Sequence, residues 1–219
     1  AEYEPSLTFH GFRYVELSGL PEEIEASADW LEGKVVYCDL DLIGSFVCSD
    51  AKVNRLQSNI QWGQRCNFFS VPTDCPQRDE RLGWTGDAQV FAPTAAFNMN
   101  VDAFFSKWLT DVRDGQSDDG AYPDIAPKKR NLTGWFKNRG NAAWADAGVI
   151  CTWEVYRAYG GEKILRDNYE AMKKWIAFME RTSKNYIRPE TAYGDWLQPY
   201  APLGRGDASK KLIGTAYFV

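Results

Sequence analysis

The sequence predicts a mainly α fold: helical hairpins of the kind that form an (α/α)6 barrel, here the first half of one, preceded by a short β segment that reads as the edge of a β-sandwich. Three observations predict it. From residue 51 onward, apolar residues recur at helical spacing in six stretches. Short and long connections alternate between those stretches, as they do when hairpins stand in a ring with their functional loops at one end. Before residue 49, aromatic and β-branched residues alternate in part instead.

In chain order, residues 1–48 read as β, with strands expected over Phe9–Leu17 and Lys34–Leu42 and a turn at Ser18-Gly19-Leu20-Pro21 between them. Two strands do not make a stable domain, so the segment is expected to be the C-terminal edge of a sandwich plus a linker. The rest, 49–219, is expected to be the N-terminal half of the helical domain. Ser49-Asp50 caps a helix from Ala51 to about Phe68, with Val53, Leu56 and Ile60 on one face. A second helix is expected from about Asp87 to Phe97, kinked or broken at Pro93. A third spans about Val101 to Val112 with the stripe Phe104, Phe105, Trp108, Leu109 and Val112. A long loop, Arg113 to Gly140, follows, and loops of that length are usually functional or disordered. The fourth helix covers about Ala142 to Tyr159 and stops at Gly160-Gly161. The fifth covers Glu162 to Thr182, with Leu165, Tyr169, Met172, Trp175, Ile176 and Met179 facing inward. After a loop carrying Tyr193 to Leu203, a sixth begins near Lys211 and is still apolar at Val219. Six helices are half of such a barrel, so the chain reads as the middle of a longer protein, and the apolar run 213–219 is expected to promote association.

Composition excludes several functions. Net charge is −5 and Lys128-Lys129-Arg130 is too short for a basic stripe, so no nucleic-acid partner is expected. No apolar run reaches the length of a membrane span. One histidine, His10, leaves almost no material for a Ser-His-Asp triad or a multi-histidine metal site. The five cysteines are widely spaced without a C-x-x-C, which argues against zinc and for buried free thiols. Neither a metal nor another cofactor is called for. Nine tryptophans are many for 219 residues and are available as core or as platforms for a sugar.

The densest chemistry lies in Thr73–Asp87, where Asp74, Asp79, Glu80 and Asp87 fall among Arg78, Arg81 and Trp84. Carboxyls gathered at one pocket push each other's pKa values apart, which supplies an acid and a base from one residue type. A tryptophan beside them suits a sugar: the ring covers the apolar face of a pyranose while the acids take its hydroxyls. The plain alternative is a solvated charged turn.

Asp74-Cys75-Pro76, Arg78-Asp79-Glu80-Arg81-Leu82-Gly83-Trp84 and Gly86-Asp87-Ala88-Gln89 resemble the signature of the bacterial α-L-rhamnosidases of the six-hairpin glycosidase superfamily. Further segments follow in the family's order: Asp119-Gly120-Ala121-Tyr122-Pro123-Asp124, Trp144-Ala145-Asp146-Ala147 and Tyr193-Gly194-Asp195-Trp196-Leu197. Gly11–Val15 and Gly44–Asp50 match upstream, so the resemblance runs through nearly the whole chain.

The resemblance implies an inverting glycoside hydrolase that releases terminal α-L-rhamnose from glycosides or polysaccharides, in the bacterial cytoplasm or periplasm. Glu80 matches the general acid. Asp79 is its rival, since neighbours on a turn point opposite ways. Asp74 and Asp87 match hydroxyl-binding positions, although Asp87 would also serve as an N-cap. Trp84 matches an aromatic wall. Trp144 and Asp146 match residues that open the fourth helix near the barrel mouth, Asp195 and Trp196 lie in a loop, and all four are expected to bind substrate. Arg78 either orients the carboxylates or neutralises them, and Asp124 is either a ligand or part of a turn. The family's general base is a glutamate on a later hairpin, and neither Glu154, Glu170 nor Glu190 sits in a matching motif. These residues alone are therefore expected to hydrolyse nothing. The alternatives are a related six-hairpin glycosidase with another sugar and a sugar-binding module without turnover.

Overall fold

A computed structural model describes residues 2–128, 139–190, 193–201, 206 and 208–219. Parts of the two long loops, 129–138 and 202–205, lie outside the described residues, and with them Lys129, Arg130 and Leu203. The mainly helical expectation is borne out, with six α-helices and one two-stranded hairpin among the described residues.

Helix α1, Ala51–Asn67, starts where Asp50 accepts from the amides of Lys52 (2.7 Å) and Val53 (3.4 Å), satisfying donors the first turn leaves open. It leads into β1, Phe68–Phe69, and β2, Val71–Pro72, antiparallel about Ser70, whose φ of 67° makes the tight reversal. Helix α2, Thr85–Asn98, runs unbroken through Pro93, against expectation. Pro93 is exposed, and the buried Ala88, Ala92, Ala95 and Ala96 pack the helix into the core, which offsets the one lost donor. It also starts two residues earlier than expected, so Asp87 stands in the first turn and does not cap it.

Helix α3, Asp102–Asp114, buries the whole expected stripe, Phe104, Phe105, Trp108, Leu109 and Val112. Helix α4, Ala147–Tyr159, packs against α2, α3 and α5 and ends at Gly160 in the left-handed conformation, φ 72°. Residues 142–146, expected to be helical, form turns instead, because Ala143 takes a φ of 70°. Helix α5, Glu162–Thr182, is rotated from the expected face. It buries Ile164, Asn168, Ala171, Trp175 and Met179, while Tyr169 and Ile176 are 56% and 40% exposed. Asn168 explains the rotation: its amide accepts from Arg113 (2.8 Å) and donates to the Ile164 carbonyl (2.8 Å), so a polar residue holds a core position. Helix α6, Lys210–Ala216, ends short of Val219.

Two expectations fail outright. The strands Phe9–Leu17 and Lys34–Leu42 do not form. The segment 2–48 holds one 3-10 turn, Ala28–Trp30, and one bridge, Leu42 to Met99. A strand needs a run of a partner's amides and carbonyls, and the segment finds only scattered ones: the Cys38 amide donates to the Phe68 carbonyl (3.0 Å), the Ile43 amide to the Asn98 carbonyl (3.2 Å), and the Asp41 carbonyl accepts from the Asn100 amide (2.8 Å). The α1 face Val53, Leu56 is exposed, with Gln64 the buried residue of that helix. Of the cysteines only Cys151 is buried, and all five are free thiols.

Candidate active site

The acidic loop is tied down at both ends. At its start, the Thr73 amide and hydroxyl both donate to the Asn67 carbonyl, at 2.9 and 3.0 Å. At its end, the chain around Trp84 runs antiparallel to 124–126: the Thr85 amide donates to the Asp124 carbonyl (3.0 Å) and the Ala126 amide to the Gly83 carbonyl (2.9 Å). The approach is so close that a Cβ at position 83 would lie 2.2 Å from the Ala126 oxygen. Arg81 anchors the middle. Its guanidinium donates to the Phe9 carbonyl at 2.9 Å and lies 4.2 Å above the Phe9 ring. These contacts tie the loop to the N-terminal segment and engage Arg81 there.

Glu80 is half-buried on this loop. Its carboxyl shares a hydrogen bond with that of Asp74, and the Trp84 indole N–H donates to its Oε1. Burial raises its pKa, and the Asp74 charge adds to the rise. The Trp84 bond and Arg78, 3.5 Å away and exposed, act against it. The rise lets Glu80 keep its proton to a higher pH than an exposed glutamate would. Cys75 joins the group: burial first, then Asp74, pushes its thiol up. Ligand-type atoms of Asp74, Cys75 and Glu80 lie within 4.8 Å of one another. Asp79 is exposed, which leaves Glu80 as the more buried member of the pair. Asp87 stands at the N-terminal end of α2, where the helix dipole favours an anion, yet burial and the Asp74 charge raise its pKa.

Beside these acids is a cavity of about 560 Å3. Asp74, Asp87, Trp144 and Trp196 line it, residues up to 122 positions apart in the chain. Gly86 gives Trp144 its seat. A Cβ there would come within 2.7–2.8 Å of the indole. Tyr193 lies against Trp144 at 4.3 Å between ring centroids, with Trp84 at 6.1 Å and Trp196 at 6.0 Å, both edge to face. Trp84 is held by Glu80 and Tyr193 just behind the lining.

Three expected site residues are turned elsewhere. Asp146, 4% exposed, accepts from the Ala143 amide (2.8 Å) and the Trp175 indole (3.1 Å), and burial raises it to about 6. It fixes the turn that presents Trp144 and does not reach the cavity. Asp124 is buried against Asn141, which donates to it at 2.5 Å, and is also raised by burial to about 6. Asp195 packs against the backbone of Gly206, one oxygen buried without a hydrogen-bond partner among the described residues. The residue-level reading missed the far wall: Gln64 and Asn67 from α1, Gln89 from α2 and Tyr217 beyond α6. A glutamine in mid-stripe on an apolar helix face was the available signal for Gln64.

Residues 41–219 match the family model of the bacterial α-L-rhamnosidase six-hairpin glycosidase domain, and residues 1–37 that of the bacterial α-L-rhamnosidase concanavalin-like domain. An α-L-rhamnosidase of Formosa agariphila is 48% identical over 219 residues, covering 99% of this chain and 23% of the relative. One from Alteromonas sp. strain LOR is 43% identical over 223 residues, covering 100% and 24%. The crystal structure of Streptomyces avermitilis α-L-rhamnosidase complexed with L-rhamnose superposes with a TM-score of 0.90 at 46% identity, covering 99% of this chain and 20% of that one. The chain thus spans about a fifth to a quarter of the length of these proteins.

Proposed function

The chain belongs to the bacterial α-L-rhamnosidase six-hairpin glycosidase family, and on that premise we propose that the protein carrying it hydrolyses terminal α-L-rhamnosides with inversion. The observation that carries this reading is the Glu80 carboxyl, paired with Asp74 and pinned by the Trp84 indole beside a cavity walled by two tryptophans and two acids. Glu80 is the general acid: it gives its proton to the glycosidic oxygen as the C–O bond breaks. A water attacks the opposite face of the sugar, as inversion requires. Asp74 and Asp87 accept rhamnose hydroxyls, while Trp144 and Trp196 cover the apolar face of the ring. Arg78 tempers the charge of the acids, and Asp146 and Asp195 act from behind the lining. The water-activating base is assigned to no residue of this chain. We divide the chain at 48/49 into sandwich edge and half-barrel. The two family models part earlier, between residues 37 and 41.

The test is hydrolysis of p-nitrophenyl α-L-rhamnopyranoside by the protein at its relatives' length, with the first-formed sugar followed by NMR. The expected product is β-L-rhamnose. The α anomer appearing first would end the inverting reading, and absence of any turnover would end the enzymatic one.

A further inference from the structure

Tyr193 stands where the aromatic walls meet. It is 4% exposed, and its ring touches Trp84, Trp144 and Trp196. Its side chain also hydrogen-bonds the buried Asp124 carboxyl, to whose Oδ2 Asn141 donates at 2.5 Å. Asp124 is in turn fixed to the loop that carries the acid, because its backbone carbonyl accepts from both the amide and the hydroxyl of Thr85, each at 3.0 Å. Ring and phenol are therefore tied to the same short segment that positions Trp84.

That matters because the Trp84 indole N–H donates to Glu80 Oε1, a bond that turns with the ring. Edge-to-face packing against Tyr193 resists rotation of the indole. We propose that Tyr193, anchored by Asp124, is a positioning residue for the acid: it fixes the tilt of Trp84 and so the direction in which the Glu80 carboxyl presents its proton. The proposal rests on the reading of Glu80 as general acid. A misplacement of about 1 Å can cost about 10²-fold in rate, so the effect is large enough to measure.

The experiment compares two substrates in the protein at its relatives' length. Methyl α-L-rhamnopyranoside leaves as an alkoxide and needs the proton, whereas the p-nitrophenyl glycoside leaves nearly unaided. Tyr193→Leu is expected to lower kcat on the methyl glycoside about 10- to 100-fold and on the p-nitrophenyl glycoside by less than about 3-fold. The basic limb of the kcat/KM profile, which reports the acid of the free enzyme, should move to higher pH. The indole bond that favours ionised Glu80 is lost, while the other groups facing it, Asp74, Cys75 and Arg78, are untouched. Tyr193→Phe keeps the ring and loses one hydrogen bond. It should show the same selectivity at about 2- to 10-fold, and it decides the matter alone if the leucine variant does not fold. Equal losses on both substrates, or an unmoved basic limb, overturn the proposal. Failure of the underlying reading is distinguishable, because Glu80→Gln would then show no preference between the two leaving groups.

Discussion

Two groups of acids in this molecule respond to burial in the same direction and do different work. In the loop 73–87, Glu80 and Asp87 are pushed up by burial and by the neighbouring Asp74 charge, and all three lie at or beside the open cavity. Beneath it, Asp124 and Asp146 rise to about 6, again chiefly by burial. The partners differ. Loop acids face one another, so the Asp74 charge favours the protonated forms of Glu80 and Asp87. The deeper acids face fixed donors: Asn141 and Tyr193 for one, the Ala143 amide and Trp175 indole for the other. A raised carboxyl therefore signals proton transfer where its companions also accept protons and a cavity opens beside it. Where its companions only donate, it is a strut.

Glu80→Gln draws that contrast most sharply. It removes the proton and keeps the shape, so kcat on substrates with poor leaving groups should fall about 10²- to 10⁴-fold with little change in melting temperature. Asp79→Asn, at an exposed position one residue away, should leave kcat within a few-fold. Steady-state kinetics on both variants check this, and the reverse order of damage would move the acid to Asp79.

Asp146→Asn should do the opposite, altering stability and its pH dependence. Asp146 titrates near 6 in the fold against an ordinary 3.8. Its contribution is therefore complete below about pH 4 and is lost as pH rises through 6, when the buried carboxylate must ionise beside Arg188. Two pKa units correspond to roughly 3 kcal/mol as an upper figure. Asparagine cannot ionise, so the decline in melting temperature between pH 4 and 7 should flatten. Asp124, which titrates in the same window, should leave part of the slope in place. A slope unchanged by the substitution would mean that Asp146 does not ionise in this window.

The sequence made some of this legible and hid the rest for identifiable reasons. Five apolar residues of α3 lay on one helical stripe, and all five are buried. A helix satisfies its own backbone, so its pattern survives without neighbours. Residues 2–48 carry aromatic and β-branched patterning just as strong, yet Tyr14, Leu17, Val35 and Val36 are exposed, because a strand is completed only by another strand. Within the site, motif order brought out the acidic loop and its tryptophans. It did not distinguish Asp146 from Asp87, since both are acids beside a tryptophan-bearing segment. Only tertiary contacts separate the one bonded to Trp175 from the one at the cavity.

The smallest expected effect isolates the aromatic wall from every acid. Gly86→Ala places a Cβ 2.7–2.8 Å from the Trp144 indole, closer than carbon atoms approach. Overpacking of this kind costs about 1–3 kcal/mol. The question is where that cost appears. Gly86 is in the first turn of α2 and is held by the helix, whereas Trp144 is only half-buried and borders the cavity. The indole is the part free to yield, and it yields into the space a sugar would occupy. Affinity for L-rhamnose, followed by tryptophan fluorescence, should therefore weaken about tenfold, equivalent to about 1.4 kcal/mol. The melting temperature and the basic limb of the pH profile should stay close to those of the parent, because neither Glu80 nor Asp146 has been touched. A variant that melts much lower but binds rhamnose normally would show that Trp144 belongs to the packed layer with Trp175, on the structural side of the comparison.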